Sequence, residues 1–375
     1  MNITLLLMLF IPVIGSALLF YYSPKDIRIQ AAGIGCAVGM ALVGIVFGVS
    51  YGSAVQDTEI WNGKVLDKTR KHDTYEESYK CRCRTVTKSS GFGENRRTWT
   101  EEECDTCYRT HYTVKWSCDT TIGSFTIQSL DELSRSVYNS PDPHRWVIIK
   151  PGDPVSDTRM YTNYVQAVSN SLFAAADENI MKSFEPILVP YPDKIYDFYH
   201  IDRFISPGFA FLDADSWNRD ISNMLIDLGT TKQANAIIVV AKTADRSYTA
   251  ALRTKWEGAN KNDVVLVIGS LDGQKIEFVD VITWSKNEIF RVQLIDAIQS
   301  IGIISRPQII SAVHTQIAKN FERRRMREFE YLKGEIDPSD TAIAITVMIL
   351  AIGYGIGVLL MTGKLDNLLN KRRRF

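Results

Sequence analysis

Ala234-Asn-Ala-Ile-Ile-Val-Val-Ala241 is an unbroken apolar run rich in β-branched residues, and it is too short for a helix that buries both faces. It reads as a buried strand. A second run of the same kind, Asp263-Val-Val-Leu-Val-Ile-Gly-Ser270, follows after one helical stretch at 247–256. A third strand, 275–283, comes after an Asp272-Gly273 pair that suits a hairpin turn. Upstream, Asp215 or Ser216 can cap a helix with Ile221, Met224, Leu225 and Leu228 on its apolar face and Gly229 as its stop. Downstream, residues 287–301 return to helix. This alternation predicts an α/β layer over residues 211–306.

Outward from that block the chain changes character. Residues 3–22, 31–54 and 341–363 contain no charged residue, so three membrane helices are expected. The first has no basic n-region and no small-x-small cleavage site, which favours a retained span over a signal peptide. The second places Gly35/Gly39 and Gly44/Gly48 at G-x-x-x-G spacing, and the third repeats this at Gly353/Gly357. Small residues four apart let a second helix approach closely, so these six are candidate packing positions, within the chain or between copies. Orientation rests on the short loop bearing Lys25 and Arg28 and on the basic tail 364–375; both read as cytoplasmic. The block 55–340 is then extracytoplasmic, and periplasmic in a bacterium.

Within that block, residues 55–135 alternate in the manner of strands and read as a small β-rich domain. It holds Cys81-Arg-Cys83 and Cys104-Asp-Thr-Cys107. Cys81 and Cys83 share one strand face and can meet a turn carrying Cys104 and Cys107, either as two disulfides or as four thiolates on a structural zinc. An oxidising compartment favours the disulfides; no other cofactor is expected. Seven of the twelve prolines fall between Pro141 and Pro192, so 136–210 reads as a connecting region, with one helix near 164–184. From Pro307, helical spacing continues toward Glu335 and predicts a long charged stalk helix, 307–338, ahead of the third span. Its Arg323, Arg324, Arg325 and Arg327 are a solvated face or a contact for lipid headgroups or a partner protein.

The chain has 375 residues, with 43 Lys+Arg against 43 Asp+Glu, a balance that speaks against nucleic-acid binding. It lacks the His-Glu-x-x-His, Gly-x-Ser-x-Gly and phosphate-loop motifs. The segment from Ala234-Asn-Ala-Ile-Ile-Val-Val-Ala241 through Tyr248-Thr-Ala-Ala-Leu-Arg-Thr-Lys-Trp256, Asn262-Asp-Val-Val-Leu-Val-Ile268 and Asp272-Gly-Gln-Lys-Ile-Glu277 resembles the TPM domain. That resemblance covers roughly 215–301. It implies an α/β sandwich facing a lumen or periplasm, often followed by a membrane span, in a family that includes acid phosphatases. The glycine and acidic residues that the family uses for metal after the hairpin are not matched by Ile282-Thr-Trp-Ser-Lys-Asn-Glu288. Glu59-Ile-Trp-Asn-Gly63, Tyr138-Asn-Ser-Pro-Asp-Pro143 and the stretch 320–338 also look like uncharacterised membrane proteins of large tailed bacteriophages.

The expected whole is a membrane-anchored α+β protein. Its expected role is a non-enzymatic display of the TPM-like domain for protein contacts at the cell envelope. A membrane-anchored TPM-type phosphatase, with Asp280, Asn287 and Glu288 offering oxygens and Asp213, Asp215 and Asp263 in reserve, is the alternative. A virion or host-membrane remodelling component is a third reading.

Overall fold

The computed structural model describes residues 3–91, 96–127, 142–168, 176–192 and 202–362. Helices α1 (Ile3–Tyr22) and α2 (Arg28–Ala54) form an antiparallel pair, and α9 (Asp340–Met361) packs against both. Each is long and apolar enough to cross a membrane. At 1.5 Å per residue they are about 30, 40 and 33 Å long, as a hydrocarbon core of ~30 Å requires. The basic tail lies outside the described residues.

Directly after α2 the chain enters β1 (Gln56–Ser90), which pairs antiparallel with β2 (Arg97–Thr120) over nearly its whole length. Strand β3 (Gly123–Ile127) adds to the far side of β2, and β4 (Pro154–Thr162) to the near end of β1, giving the order β3-β2-β1-β4. Val65, Val114, Trp116, Ile127 and Val155 form a small core, closed by Trp146 and Ile149 around the short helix α3 (His144–Ile148). The expected compact β domain is therefore only the base of this sheet. Both long strands continue past it as a free two-stranded ribbon. The connecting region is also more than a connection, since it supplies β4, α3, α4 (Glu178–Phe184) and β5 (Phe204–Ile205). Of the helix expected near 164–184 only α4 forms among the described residues, capped by the Asp177 carboxylate accepting from the Asn179 and Ile180 amides.

The second sheet has the order β5-β6-β7-β8, with β6 (Asn235–Lys242) and β7 (Asp263–Ser270) parallel and β8 (Phe278–Thr283) antiparallel to β7. Alternate residues of β6 and β7 face opposite sides, which explains their unbroken apolar runs. Ile238, Val240, Leu266 and Ile268 meet α5 (Ala214–Lys232), α7 (Glu288–Gln299) and α8 (Arg306–Asn320). Ile237, Val239, Val265 and Val267 meet α4 and α6 (Ser247–Lys255). A three-layer α/β/α body results.

Two sequence expectations fail here for identifiable reasons. Gly229 does not stop α5, which runs on to Lys232 and ends at Gln233 in the left-handed region, φ 53°. Gly229 is instead a point of close approach, because a Cβ there would sit 2.2 Å from the Asn62 carbonyl oxygen of β1. The stalk helix 307–338 does not form as one piece. Helix α8 ends at Asn320, Phe321 turns extended at ψ 127° and buries against Phe290, and the chain then carries charged residues 322–325 before a 3-10 stretch, Met326–Glu335.

Candidate functional site

Beyond the base, residues 73–90 of β1 and 97–113 of β2 contain no buried residue. At ~3.3 Å per residue this ribbon projects about 60 Å. Cross-strand pairs hold it: Lys88 bridges Glu101 (2.8 Å) and Glu103 (3.1 Å), Lys115 meets Asp73 at 2.8 Å, and His111 stacks on Tyr75 with ring centroids 4.9 Å apart. The two glutamates hold the Lys88 ammonium above its ordinary pKa, and the Lys115 hydrogen bond holds the Asp73 carboxyl below its own. Exposed pairs of this kind contribute little, too little to hold a ribbon that lacks a buried face.

The cysteines supply what packing does not. Cys81 bonds Cys107 and Cys83 bonds Cys104, two nested disulfides that tie the strands together midway along the ribbon. Cys104 and Cys107 lie on strand β2 and not on a turn. Three residues apart on a regular strand they would face opposite sides. The register shift between Cys81 and Arg84, with Arg82 left-handed at φ 47°, displaces β1 by the amount needed to serve both. Cys83, Glu102 and Cys104 are the one group of possible metal ligands close enough together among the described residues, and both sulfurs are in a disulfide. Cys118 is a buried thiol under the base, its pKa pushed up to about 11 by burial. Cys36 is half-buried in α2.

The ribbon leaves large aromatic side chains in solvent on both faces. Tyr75 and Tyr79 point one way, and Tyr108 (66% exposed) and Tyr112 (57% exposed), paired with Ser78 and Thr74, point the other; Trp99 is exposed near the tip.

At its root the ribbon is fixed to the α/β body by a buried polar seam. Arg203, 1% exposed, donates from Nε to Asn235 Oδ1 (2.9 Å) and from Nη2 to Ser156 Oγ (2.9 Å) and to Asn62 Oδ1. Asn235 passes the contact on by donating to Asp263 Oδ1 at 2.9 Å, and Tyr191 and the Asn260 amide donate to Asp263 Oδ2 at 2.7 and 2.9 Å. Burial pushes the Asp263 carboxyl up to about 6 against the lowering by those donors and by Arg203, and pulls Arg203 down to about 9. Alongside, Glu59 accepts from Trp61 Nε1 (2.7 Å) and from Arg323, with Lys261 at 3.5 Å. Asn262 completes the seam by donating to the Ile60 carbonyl at 2.7 Å. The break after Asn320 brings Arg323 to Glu59, so one member of the expected arginine patch is a structural cation.

The remaining expected residues divide. Arg324 turns to Glu288 (3.4 Å), while Arg325 and Arg327 are exposed. Gly35, Gly39 and Gly357 do face neighbouring helices: a Cβ at Gly39 would meet the Tyr354 hydroxyl at 2.4 Å, at Gly35 it would meet Leu19 at 2.7 Å, and at Gly357 Leu19 at 2.9 Å. Gly44, Gly48 and Gly353 meet nothing within 4 Å. The knob for the first pair is Tyr354, whose hydroxyl donates to the Gly35 carbonyl at 2.8 Å and whose ring fills the space over Gly15, a position outside any G-x-x-x-G spacing.

Of the carboxylates considered for metal chemistry, Asp280 is bonded to Arg291 at 2.7 Å and Asp263 is sealed in the seam. Asp213 and Asp220 share Arg306 across the body. Asn287 caps α7 through the Ile289 amide. Asp280, Asn287 and Glu288 do line one cleft, but arginines outnumber carboxylates there. The seam was missed in the sequence, although Glu59, Trp61 and Asn62 all belong to a stretch singled out for another reason. No family model, no curated protein and no solved structure matches this chain.

Proposed function

We propose that the chain is a non-enzymatic membrane protein that displays a rigid β arm for contact with another protein. Helices α1, α2 and α9 are the membrane anchor. The arm and body lie on one side, where α2 ends and α9 begins, and the two disulfides suit an oxidising, extracytoplasmic compartment. The observation that carries the reading is the stapled ribbon with Tyr75, Tyr79, Trp99, Tyr108 and Tyr112 exposed along it. Exposed tyrosine and tryptophan on a rigid support are what protein interfaces enrich, and a braced ribbon loses little entropy on docking.

A photoreactive residue placed at Tyr108 or Tyr112 in intact cells tests this. Discrete crosslinked products from the arm are expected, with none from Ile289, which is exposed on the body. Crosslinks from Ile289 and none from the arm would assign contact to the body instead. A variant in which a two-residue Asn-Gly turn joins His72 directly to its partner Val114 removes the arm. It is expected to keep the body's melting transition and lose the contact.

A further inference from the structure

A two-stranded ribbon has two open edges, and an open edge offers a second chain a row of backbone donors and acceptors. In the arm the two edges differ. Along β1, strand β4 covers the edge up to Lys64, both register shifts put the extra residue in β1, and the Asp73 carboxylate accepts from the Thr74 amide at 3.0 Å. Extra residues bend a strand and interrupt its pairing, so this edge is blocked. Along β2, strand β3 covers only residues 116–120. From 97 to 115 β2 carries no extra residue, and every second residue turns its amide and carbonyl to the open side.

Charge is segregated along that open stretch. Glu101, Glu102, Glu103 and Asp105 lie toward the tip, and Arg109, His111 and Lys115 toward the root. Part of this charge is used inside the ribbon, where Lys88 holds Glu101 and Glu103, Glu77 holds His111, and Asp73 holds Lys115. Asp105 and Arg109 are not used in this way. Both are exposed and neither forms an ion pair among the described residues, Arg109 resting against the Tyr79 ring 5.3 Å from its centroid.

We propose that this edge of β2 docks the same edge of a second copy of the chain, antiparallel and centred on Cys107. An antiparallel pair of identical strands sets the tip half of each beside the root half of the other, so a strand with segregated charge complements itself. About Cys107, Asp105 opposes Arg109 of the second copy and Glu103 opposes its His111, each twice, and no like charges meet between 99 and 115. Only this centre joins Asp105 to Arg109. The paired stretch also fits the space, since Lys115, the last residue before β3, then opposes Trp99 near the tip. This inference rests on the arm being the contact element and names its partner. Tyr79, which pairs with Cys107, is roughly 75 Å along β1 from Gln56, so the two anchors lie about 150 Å apart at opposite ends of the paired arms.

The test uses the full chain in detergent micelles without reductant, with its mass followed by sedimentation over a concentration series reaching ~100 μM. A reversible dimer is expected. Asp105→Arg and Arg109→Asp each turn two attractive pairs into two repulsive ones, and each is expected to weaken the dimer about tenfold or more. Mixed in equal amounts, the two variants regain both pairs with opposite charge, and a mixed dimer of near wild-type affinity is expected. Wild-type chain that stays monomeric throughout, dimers that neither variant weakens, or variants that stay monomeric when mixed would overturn the proposal. Crosslinks from Tyr108 or Tyr112 in cells to a polypeptide of different mass, with the purified chain monomeric, would keep the arm as the contact element and overturn the self-pairing alone.

Discussion

The arm and the α/β body use the same element, a β-strand, and stabilise it in opposite ways. In β6 every residue from Asn235 to Ala241 is buried, and in β7 every residue from Asp263 to Ser270. In the arm none is, from 73 to 90 and from 97 to 113. The body is held by apolar area removed from water on both sheet faces, worth roughly 25 cal/mol per Å². The arm has no such area, and covalent bonds between its strands take that role. A perturbation should therefore act on one region and leave the other intact, unless it strikes the seam between them.

The seam should give the largest effect. Arg203→Ala removes the buried donor to Asn235, Asn62 and Ser156 and the positive charge that favours the Asp263 carboxylate, and about 3–5 kcal/mol of body stability is expected to go with it. Chemical denaturation followed by tryptophan fluorescence measures this. A loss under about 1 kcal/mol would mean the seam is decoration.

Reduction should act on the arm alone. The bridges close stretches of 26 and 21 residues. For the outer bridge the chain-entropy estimate is about 3.5 kcal/mol, and the nested inner one adds less. Limited proteolysis is the readout: cleavage within 73–113 after reductant, with the body fragment resistant.

A third contrast is pH dependence. The folded Asp263 pKa of about 6 lies above its ordinary 3.8, so the folded state holds this proton more tightly. Its contribution is full below about pH 4 and is lost as pH rises through 6, on the order of 3 kcal/mol for a shift of this size. Asp263→Asn should flatten that part of the body's stability profile between pH 4 and 7. The exposed carboxylates whose pKa values are depressed, such as Asp73, act in the opposite direction and remain in both proteins.

Smallest are the glycines. Gly39→Leu forces Tyr354 out of its slot, and about 1–3 kcal/mol of helix-bundle stability is expected to be lost. Gly44→Leu, on an open face, should stay within about 0.5 kcal/mol. Equal losses at the two positions would show that the open face packs too, against something outside the single chain.

What could be read from the sequence follows the same division. Strands β6 and β7 were legible because burial on both faces leaves a compositional mark in eight consecutive residues. The apolar helices were legible because each runs for twenty residues or more without a charge, a length and composition that suffice to cross a membrane. The arm was half legible: the alternation and the four cysteines pointed to strands acting together. Length of projection, however, is set by the absence of packing, which alternation does not encode. The stalk helix failed because Ile310, Val313, Ile317 and Phe321 keep helical spacing up to the last residue that packs. The Glu59 partner that draws Arg323 away is 264 residues distant. The seam stayed hidden for that reason too, since Asn62, Ser156, Arg203, Asn235 and Asp263 meet only after folding.

Amide hydrogen exchange of the full chain, with and without reductant, tests the central contrast most directly. In the oxidised protein, every second amide of residues 73–90 and 97–113, those aimed across the ladder, should be protected. After reduction that protection should vanish while β6 and β7 exchange as slowly as before. Loss of protection in β6 and β7 on reduction, or free exchange along the arm while its disulfides are intact, would contradict the account of a braced arm on an independently stable body.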